Sequence, residues 1–163
     1  MQPTRTLTAH CTLSHPADGQ PLLTINNEHA KAEISLFGAH VLRYQRHSEP
    51  ASLWLSDKAV LDGSKPIRGG IPLCWPWFGP APARVGSGKP AHGFARTSLW
   101  TLDGVSDHGD GTLVHLSLRD TDASRALWPH AFELELDVLV GKELSLVLTT
   151  RNTGKTPLTY NAA

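Results

Sequence analysis

The amino-acid sequence predicts an all-β protein, an antiparallel β-sandwich that occupies residues 1–163 as a single domain. In most of the apolar segments, hydrophobic side chains alternate with polar ones, and a period of two is typical of half-buried strands. No segment repeats its apolar positions at helical spacing over about a dozen residues. Glycine, proline and asparagine separate the alternating runs, as they do in sandwiches and barrels.

The first third of the chain contains four candidate strands. Each is short, rich in apolar residues and bounded by turn-forming residues, which favours a strand over a helix. The candidates span residues 22–26, 31–37, 41–45 and 52–55.

Two hairpins are predicted in the second half of the chain. Residues 133–140 alternate acidic with apolar side chains, and residues 143–150 repeat the alternation. The dipeptide Gly141-Lys142 between them is suited to a tight turn, so the two runs are expected to pair. The other hairpin is formed by residues 100–105 and 112–118 around Asp110-Gly111. After it, residues 120–127 are expected to form one helical turn at most.

Composition excludes several classes of partner. The chain has 15 basic and 15 acidic residues and a pI of about 7.1, whereas a general nucleic-acid surface needs a basic surplus. No apolar run approaches the roughly 18 residues of a membrane span, and no apolar signal-peptide region is visible at the N-terminus. We therefore expect a cytoplasmic protein without nucleic-acid or membrane partners. Reduced thiols are the simpler interpretation for Cys11 and Cys74, and a disulfide between them is the alternative.

The nine histidines show no spacing that is typical of a local metal motif. We therefore predict no metal site.

Residues 65–96 are the most informative segment of the chain. They combine prolines, glycines, aromatic rings and a few cations, and long ordered loops of this kind are usually functional. Sugars bind to flat apolar faces flanked by directed hydrogen-bond donors, so the segment predicts a carbohydrate site. The alternative is a set of core aromatic rings beneath a long loop, which is the placement expected for Trp77 and Phe78.

Five segments resemble the glucose-6-phosphate 1-epimerases, or hexose-6-phosphate mutarotases, of the aldose 1-epimerase (galactose mutarotase-like) superfamily. The specific pair is Arg-Gly-Gly-Ile-Pro at residues 68–72 and His-Gly-Phe-Ala-Arg at residues 92–96. The resemblance implies a galactose mutarotase-like supersandwich that interconverts the α and β anomers of hexose 6-phosphates without a cofactor. The matching segments are residues 38–44, 66–79, 91–96, 128–134 and 160–163.

The resemblance also implies roles for single residues. His92 matches a catalytic histidine that hydrogen-bonds the sugar near its ring oxygen and assists the acid step, and imidazole suits this because it titrates near neutrality. Arg68 matches a substrate-binding arginine, and Arg96 is the candidate ligand of the 6-phosphate through a bidentate contact. Trp75 is expected to stack on the sugar or to form a wall of its site. The alternatives are a histidine that caps a tight turn and an arginine in a surface salt bridge.

Family members continue beyond the segment that matches Tyr160 to Ala163. The resemblance therefore implies that the chain corresponds to roughly the first half of such a sandwich, with a general-acid histidine and a general-base glutamate outside it. We expect a truncated sandwich whose open edge exposes core leucines such as Leu134, Leu144 and Leu146. Such a chain would be a monomer or would self-associate weakly through that edge. The alternative functions are a non-catalytic carbohydrate-binding sandwich and an inactive truncated product.

Overall fold

The computed structural model describes residues 2–163, with side chains from Thr4 onward. Strands dominate this part of the chain, and the helical elements are a short α-helix and two single turns of 3-10 helix. The strands are β1 (Gln2–Thr6), β2 (Cys11–His15), β3 (Leu22–Asn26), β4 (Ala30–Ser35), β5 (His40–Arg46), β6 (Thr101–His108), β7 (Gly111–Arg119), β8 (Phe132–Gly141) and β9 (Leu144–Asn152). The helical elements are α1 (Asp122–Leu127) and the 3-10 turns Ala83–Val85 and Ala95–Thr97.

The strands form two antiparallel sheets that follow the order of the chain. One sheet has five strands in the order β1-β2-β3-β4-β5, and the other has four in the order β6-β7-β8-β9. Every adjacent pair is antiparallel, which short connections between consecutive strands allow. The predicted all-β antiparallel sandwich is therefore confirmed.

The core lies between the two sheets. Along β8 the inward side chains are buried and the intervening ones are half-buried, as a strand with one face on a core requires. Facing positions of both sheets belong to one continuous apolar cluster. Its fully enclosed members include Leu23, Ile25, Ile34, Val41, Val114, Leu116, Leu134, Leu136 and Val138.

Side-chain hydrogen bonds join the two sheets at one end. The buried Asn27 side chain donates to the Val140 carbonyl at 2.7 Å and to the Thr112 hydroxyl at 3.1 Å. The Tyr44 hydroxyl donates to the Gly141 carbonyl at 2.9 Å. These bonds satisfy buried polar groups and set the position of one sheet over the other.

The predicted elements differ from the observed ones in three places. β1 and β2 were not predicted, because their apolar positions are few. Residues 52–55 do not form a strand, and Leu55 makes a single antiparallel bridge to Gly69. The helix begins at Asp122 rather than at residue 120, because the Thr121 hydroxyl caps it by accepting from the backbone N–H of Ser124 at 3.1 Å.

The leucines that were expected to be exposed at the open edge are more enclosed than predicted. β9 lies at one edge of the four-stranded sheet, and its inward residues Leu144 and Leu146 are half-buried. Leu134, which was expected to be exposed, is fully buried, because β8 lies between β7 and β9. Within residues 2–163, no helix is long and apolar enough to cross a membrane.

Candidate functional site

Residues 68–78 and 91–96 lie against each other, and this contact builds the candidate site. Trp75 forms a parallel bridge to Gly93, and the Trp75 carbonyl accepts from the backbone N–H groups of Phe94 and Ala95 at 3.0 and 3.2 Å. The peptide bond between Trp75 and Pro76 is cis. A Cβ at Gly93 would lie 2.0 Å from the Trp75 oxygen, so this close approach requires glycine.

Trp75 is a core residue, and the expectation that it stacks on a sugar is wrong. Its side chain is 0% exposed. Its ring contacts those of Phe94, Trp128, Phe132 and Tyr160, with centroids 4.6 to 5.9 Å apart. A ring enclosed by four others has no free face for a ligand.

Phe78 has the opposite placement to the one expected. Its ring is 58% exposed, whereas Trp77 is buried as predicted and donates from Nε1 to the Pro90 carbonyl at 2.9 Å. The exposed Phe78 ring lies edge-on to the His92 imidazole, with centroids 4.9 Å apart. An exposed aromatic ring therefore lies beside His92.

His92 is held by two hydrogen bonds to one residue. Its backbone N–H donates to the Gly79 carbonyl at 2.7 Å, and the Gly79 N–H donates to the imidazole Nδ1 at 3.0 Å. The residue has a left-handed backbone with φ of 65°, which is uncommon outside glycine and often marks a functional position. Because Nδ1 accepts a hydrogen bond from the backbone, the opposite nitrogen Nε2 is the one that can donate outward.

Arg68 is exposed and lies beside an exposed tryptophan. Its guanidinium carbon is 5.9 Å from the centroid of the Trp54 ring. Within the part of the chain that the structure describes, no carboxylate lies within ion-pair distance of Arg68. The cation is therefore available to a ligand.

The two glycines after Arg68 are required by the protein's own packing. Gly69 and Gly70 have φ of 107° and 63°. A Cβ at Gly70 would lie 2.3 Å from the Val41 oxygen, and one at Gly69 would lie 2.6 Å from the Trp54 oxygen. The two glycines therefore allow a close approach of one backbone segment to another.

Arg96 lies partly buried behind His92. Its Nη2 donates to the Ala91 carbonyl at 3.1 Å, and its Nε is buried without a hydrogen-bond partner in the described residues. The surface-salt-bridge alternative is not observed among residues 4–163. The remaining guanidinium nitrogen can still bind an anion.

His40 is a buried residue beneath the site, in the matching segment of residues 38–44. It is 1% exposed, and its Nε2 donates to the Gly69 carbonyl at 2.7 Å. Burial lowers the pKa of His40, the Gly69 carbonyl opposes this, and the nearby Arg96 charge lowers it further. His40 is thus a neutral residue that supports the Gly69-Gly70 turn through this hydrogen bond.

The segments that carry the predicted site residues pack against one another. His40 bonds to the carbonyl of Gly69, the residue after Arg68. A Cβ at Gly38 would lie 2.6 Å from the Arg96 oxygen, so the backbone two residues before His40 lies against Arg96. The Arg96 side chain bonds to the carbonyl of the residue before His92. The segments of Arg68, Arg96 and His92 are therefore neighbours in the fold, whereas Trp75 is enclosed in the core.

The segment around Asn161 supports the same region. Asn161 and Ala163 donate from their backbone N–H groups to the carbonyls of Pro76 and Cys74 at 3.2 and 3.1 Å. The Asn161 side chain accepts from the backbone N–H of Phe78 at 3.1 Å. The segment thus forms a short ladder that positions Phe78.

No metal centre is found in the described part of the chain, where no three histidine, cysteine or acidic side chains are grouped closely enough to hold an ion. Cys11 and Cys74 are both buried and free.

Known proteins resemble this chain in sequence and in fold. The family model described as aldose 1-epimerase matches residues 21–163. A protein named "Putative glucose-6-phosphate 1-epimerase" from Escherichia coli (strain K12) is 38% identical over 131 residues, which cover 80% of this chain and 44% of that protein. The crystal structure of YeaD from Salmonella typhimurium, titled a "putative mutarotase", superposes with a TM-score of 0.84 at 34% identity, covering 91% of this chain and 50% of that one.

A more distant structure shares the fold alone. It is a galactose mutarotase-like protein from Lactobacillus casei (ATCC 334), with a TM-score of 0.61 and 23% identity over 80% of this chain and 44% of that chain. The chain spans about half the length of the relatives that it matches. Because the matched region includes most of the residues in the chain, the protein belongs to the aldose 1-epimerase family.

Proposed function

We propose that this protein takes part in the interconversion of the α and β anomers of hexose 6-phosphates. The observation that carries this is that the neighbouring segments of Arg68, Arg96 and His92 offer two cations and one imidazole donor. The name of the Escherichia coli relative, a glucose-6-phosphate 1-epimerase, supports the same substrate class.

Anomer interconversion requires two proton transfers. A base removes the proton of the anomeric hydroxyl while an acid protonates the ring oxygen, so that the ring opens and recloses on the other face. His92 suits the acid side, because its Nε2–H is directed away from the Gly79 backbone and can donate to the ring oxygen. The family resemblance implies that a further histidine and a glutamate complete the proton transfers, outside the 163 residues.

Two arginines supply the positive charge for the phosphate. Arg68 is exposed and free of carboxylate partners in the described residues, and Arg96 keeps donors that the Ala91 carbonyl does not use. A guanidinium matches phosphate oxygens in a bidentate arrangement, so either arginine can bind this group. Arg96 remains our assignment for the 6-phosphate.

We further propose that residues 1–163 form a single, partial β-sandwich domain of a cytoplasmic protein that does not bind nucleic acid or membranes. The large apolar cluster shared by both sheets supports one domain, and two buried free cysteines suit a reducing compartment. The chain would be a monomer, or would self-associate weakly through the open edge at β9.

Binding and exchange are tested separately. We expect the 163-residue chain to bind glucose 6-phosphate in an NMR titration, and to bind glucose much more weakly because glucose lacks the phosphate. Arg68→Ala and Arg96→Ala should each weaken binding, by about tenfold for a lost charge-assisted contact. A folded chain that binds neither ligand would contradict the assignment.

Anomer exchange is measured by saturation transfer between the α and β signals of glucose 6-phosphate. We expect acceleration when residues 1–163 are joined to the second half of the Escherichia coli relative, and little acceleration by the chain alone. His92→Ala should remove the acceleration in the joined protein. Exchange that survives this substitution would contradict the role of His92. Saturable binding without exchange in the joined protein would favour a carbohydrate-binding function instead.

A further inference from the structure

Trp54 is exposed although tryptophan is usually enclosed when a core is available. Its side chain is 65% exposed, whereas the other four tryptophans of the chain are at most 2% exposed. A large aromatic face left in solvent often marks a binding position. The four enclosed rings are those of Trp75, Trp77, Trp100 and Trp128.

The backbone around Trp54 is fixed against the turn that carries Arg68. The Trp54 carbonyl accepts from the Gly70 N–H at 2.8 Å, and the Ser56 N–H donates to the Arg68 carbonyl at 3.1 Å. Between these bonds, Leu55 and Gly69 form an antiparallel bridge. This short ladder holds the two exposed side chains next to each other without burying either of them.

The guanidinium of Arg68 lies over the Trp54 ring, 5.9 Å from its centroid. Stacking of this kind is favourable for a planar cation, and it leaves the N–H groups free in the plane of the guanidinium. No side-chain hydrogen bond of Arg68 is observed within residues 4–163, so those donors have no competing partner there. With Trp54 65% exposed, much of the indole stays open to solvent.

We propose that Trp54 and Arg68 together form the sugar contact of this region, with Trp54 stacking on the C–H face of a hexose and Arg68 binding one of its hydroxyls, while Arg96 keeps the 6-phosphate. The aromatic face expected of Trp75 is thus supplied by Trp54. The subsite rests on the proposed hexose 6-phosphate function and names the residues that contact the sugar ring.

The five tryptophans give a direct test, since acrylamide reaches an exposed indole and not enclosed ones. Fluorescence quenching of the wild-type chain should report mainly on Trp54. Saturating glucose 6-phosphate should reduce that quenching, and Trp54→Phe should show weak quenching with or without the ligand. Trp54→Ala should weaken glucose 6-phosphate binding by about tenfold, and Trp54→Phe by less, because phenylalanine keeps a stacking face.

Val147→Ala provides a matched control, because Val147 is 55% exposed on β9 and should leave the affinity unchanged. Inorganic phosphate is the second probe. Protection of Trp54 by phosphate alone, to the same extent as by glucose 6-phosphate, would overturn the stacking contact and leave a phosphate site at Arg68. An NMR titration of the same samples reports whether the sugar binds at all.

Failure of the Trp54–Arg68 subsite and failure of the proposed function give different experimental results. If glucose 6-phosphate binds but Trp54 is not protected and Trp54→Ala changes the affinity by less than about twofold, the subsite is wrong and the proposed function stands. If the folded chain does not bind glucose 6-phosphate, the proposed function and the subsite are both wrong. Equal thermal stability of the Trp54 variants and the wild type would confirm that the loss is one of binding.

Discussion

Gly79 and His92 bind each other through two backbone-directed hydrogen bonds. The Gly79 carbonyl accepts from the His92 N–H at 2.7 Å, and the Gly79 N–H donates to His92 Nδ1 at 3.0 Å. A backbone amide can only donate, so the second bond requires an unprotonated Nδ1. The imidazole is therefore held as the neutral tautomer with its proton on Nε2, oriented by a residue with no side chain of its own.

This arrangement predicts the tautomer of His92 directly. In long-range proton–nitrogen correlation spectra near neutral pH, His92 should show a protonated Nε2 and an unprotonated Nδ1. His92→Gln identifies the signals by their loss. A spectrum with the proton on Nδ1 would contradict the bond from Gly79 and remove the argument for an outward donor.

The turn that carries Arg68 depends on glycine at position 70. Gly70→Ala places a Cβ 2.3 Å from the Val41 oxygen in a left-handed backbone with φ of 63°. We expect a loss of about 2–4 kcal/mol in the free energy of unfolding, measured with urea, because strain and overpacking add.

Gly88→Ala is the matched control for this substitution. Gly88 has a similar φ of 73°, and a Cβ added there would meet no atom within 4 Å. The substitution should cost about 1 kcal/mol, which is the conformational cost alone. Equal losses for the two variants would mean that the contact with Val41 relaxes without a penalty.

The strands could be predicted from the sequence because their signal is local. β3 coincides with the predicted residues 22–26, and β8 extends the predicted residues 133–140 by one residue at each end. In both, apolar side chains alternate or cluster where one face meets the core. β1 lacked such a signal, because Gln2–Thr6 is polar along most of its length.

The placement of the aromatic residues could not be predicted in the same way. Trp75 and Phe78 are three positions apart in one loop, and no periodic pattern distinguishes them. Trp75 is buried because Phe94 and Phe132, from distant segments, enclose its ring. Burial in such a loop depends on tertiary contacts, which the local sequence does not encode.

Asn27 should contribute strongly to stability, because it bonds across the sandwich. Its amide donates to Val140 and Thr112, and its side-chain oxygen accepts from the backbone N–H groups of His29 and Ala30 at 2.9 and 3.0 Å. Asn27→Ala leaves these buried groups unpaired and should cost about 2–3 kcal/mol in urea unfolding.

The exposed Asn152 gives the comparison for this variant. It also bonds to backbone groups, those of Gly154 and Thr156, but solvent can replace them. Asn152→Ala should cost less than about 1 kcal/mol. Similar losses at the two positions would show that the cross-sheet hydrogen bonds of Asn27 contribute no more to stability than the exposed bonds of Asn152.

Both cysteine thiols should be unreactive in the folded protein. Burial, with a smaller contribution from the Asp107 charge, raises the pKa of Cys11 to about 11. Burial also raises the pKa of Cys74, against the opposing charge of Arg96. Because the thiolate is the reactive form, a thiol reagent at mildly alkaline pH should label neither cysteine before unfolding and both after it. Rapid labelling of the native protein would contradict this burial.

His40 predicts how stability changes with pH. Burial is the main reason that its pKa is lowered from 6.5 in the folded protein, and the Arg96 charge adds to this. The unfolded chain therefore binds a proton at His40 at a higher pH than the folded chain does. The stability linked to this residue is complete above 6.5 and is lost as the pH falls from there toward the lowered folded pKa.

His40→Gln removes the titration and keeps an amide that can donate to the Gly69 carbonyl. Urea unfolding at about pH 5 and pH 7.5 should show a smaller loss of stability at the acidic pH for the variant than for the wild type. The difference between the two proteins cancels the contributions of the other eight histidines, which both share. An unchanged pH dependence would mean that His40 titrates alike in the folded and unfolded chains, and that its burial beside Arg96 does not hold it neutral.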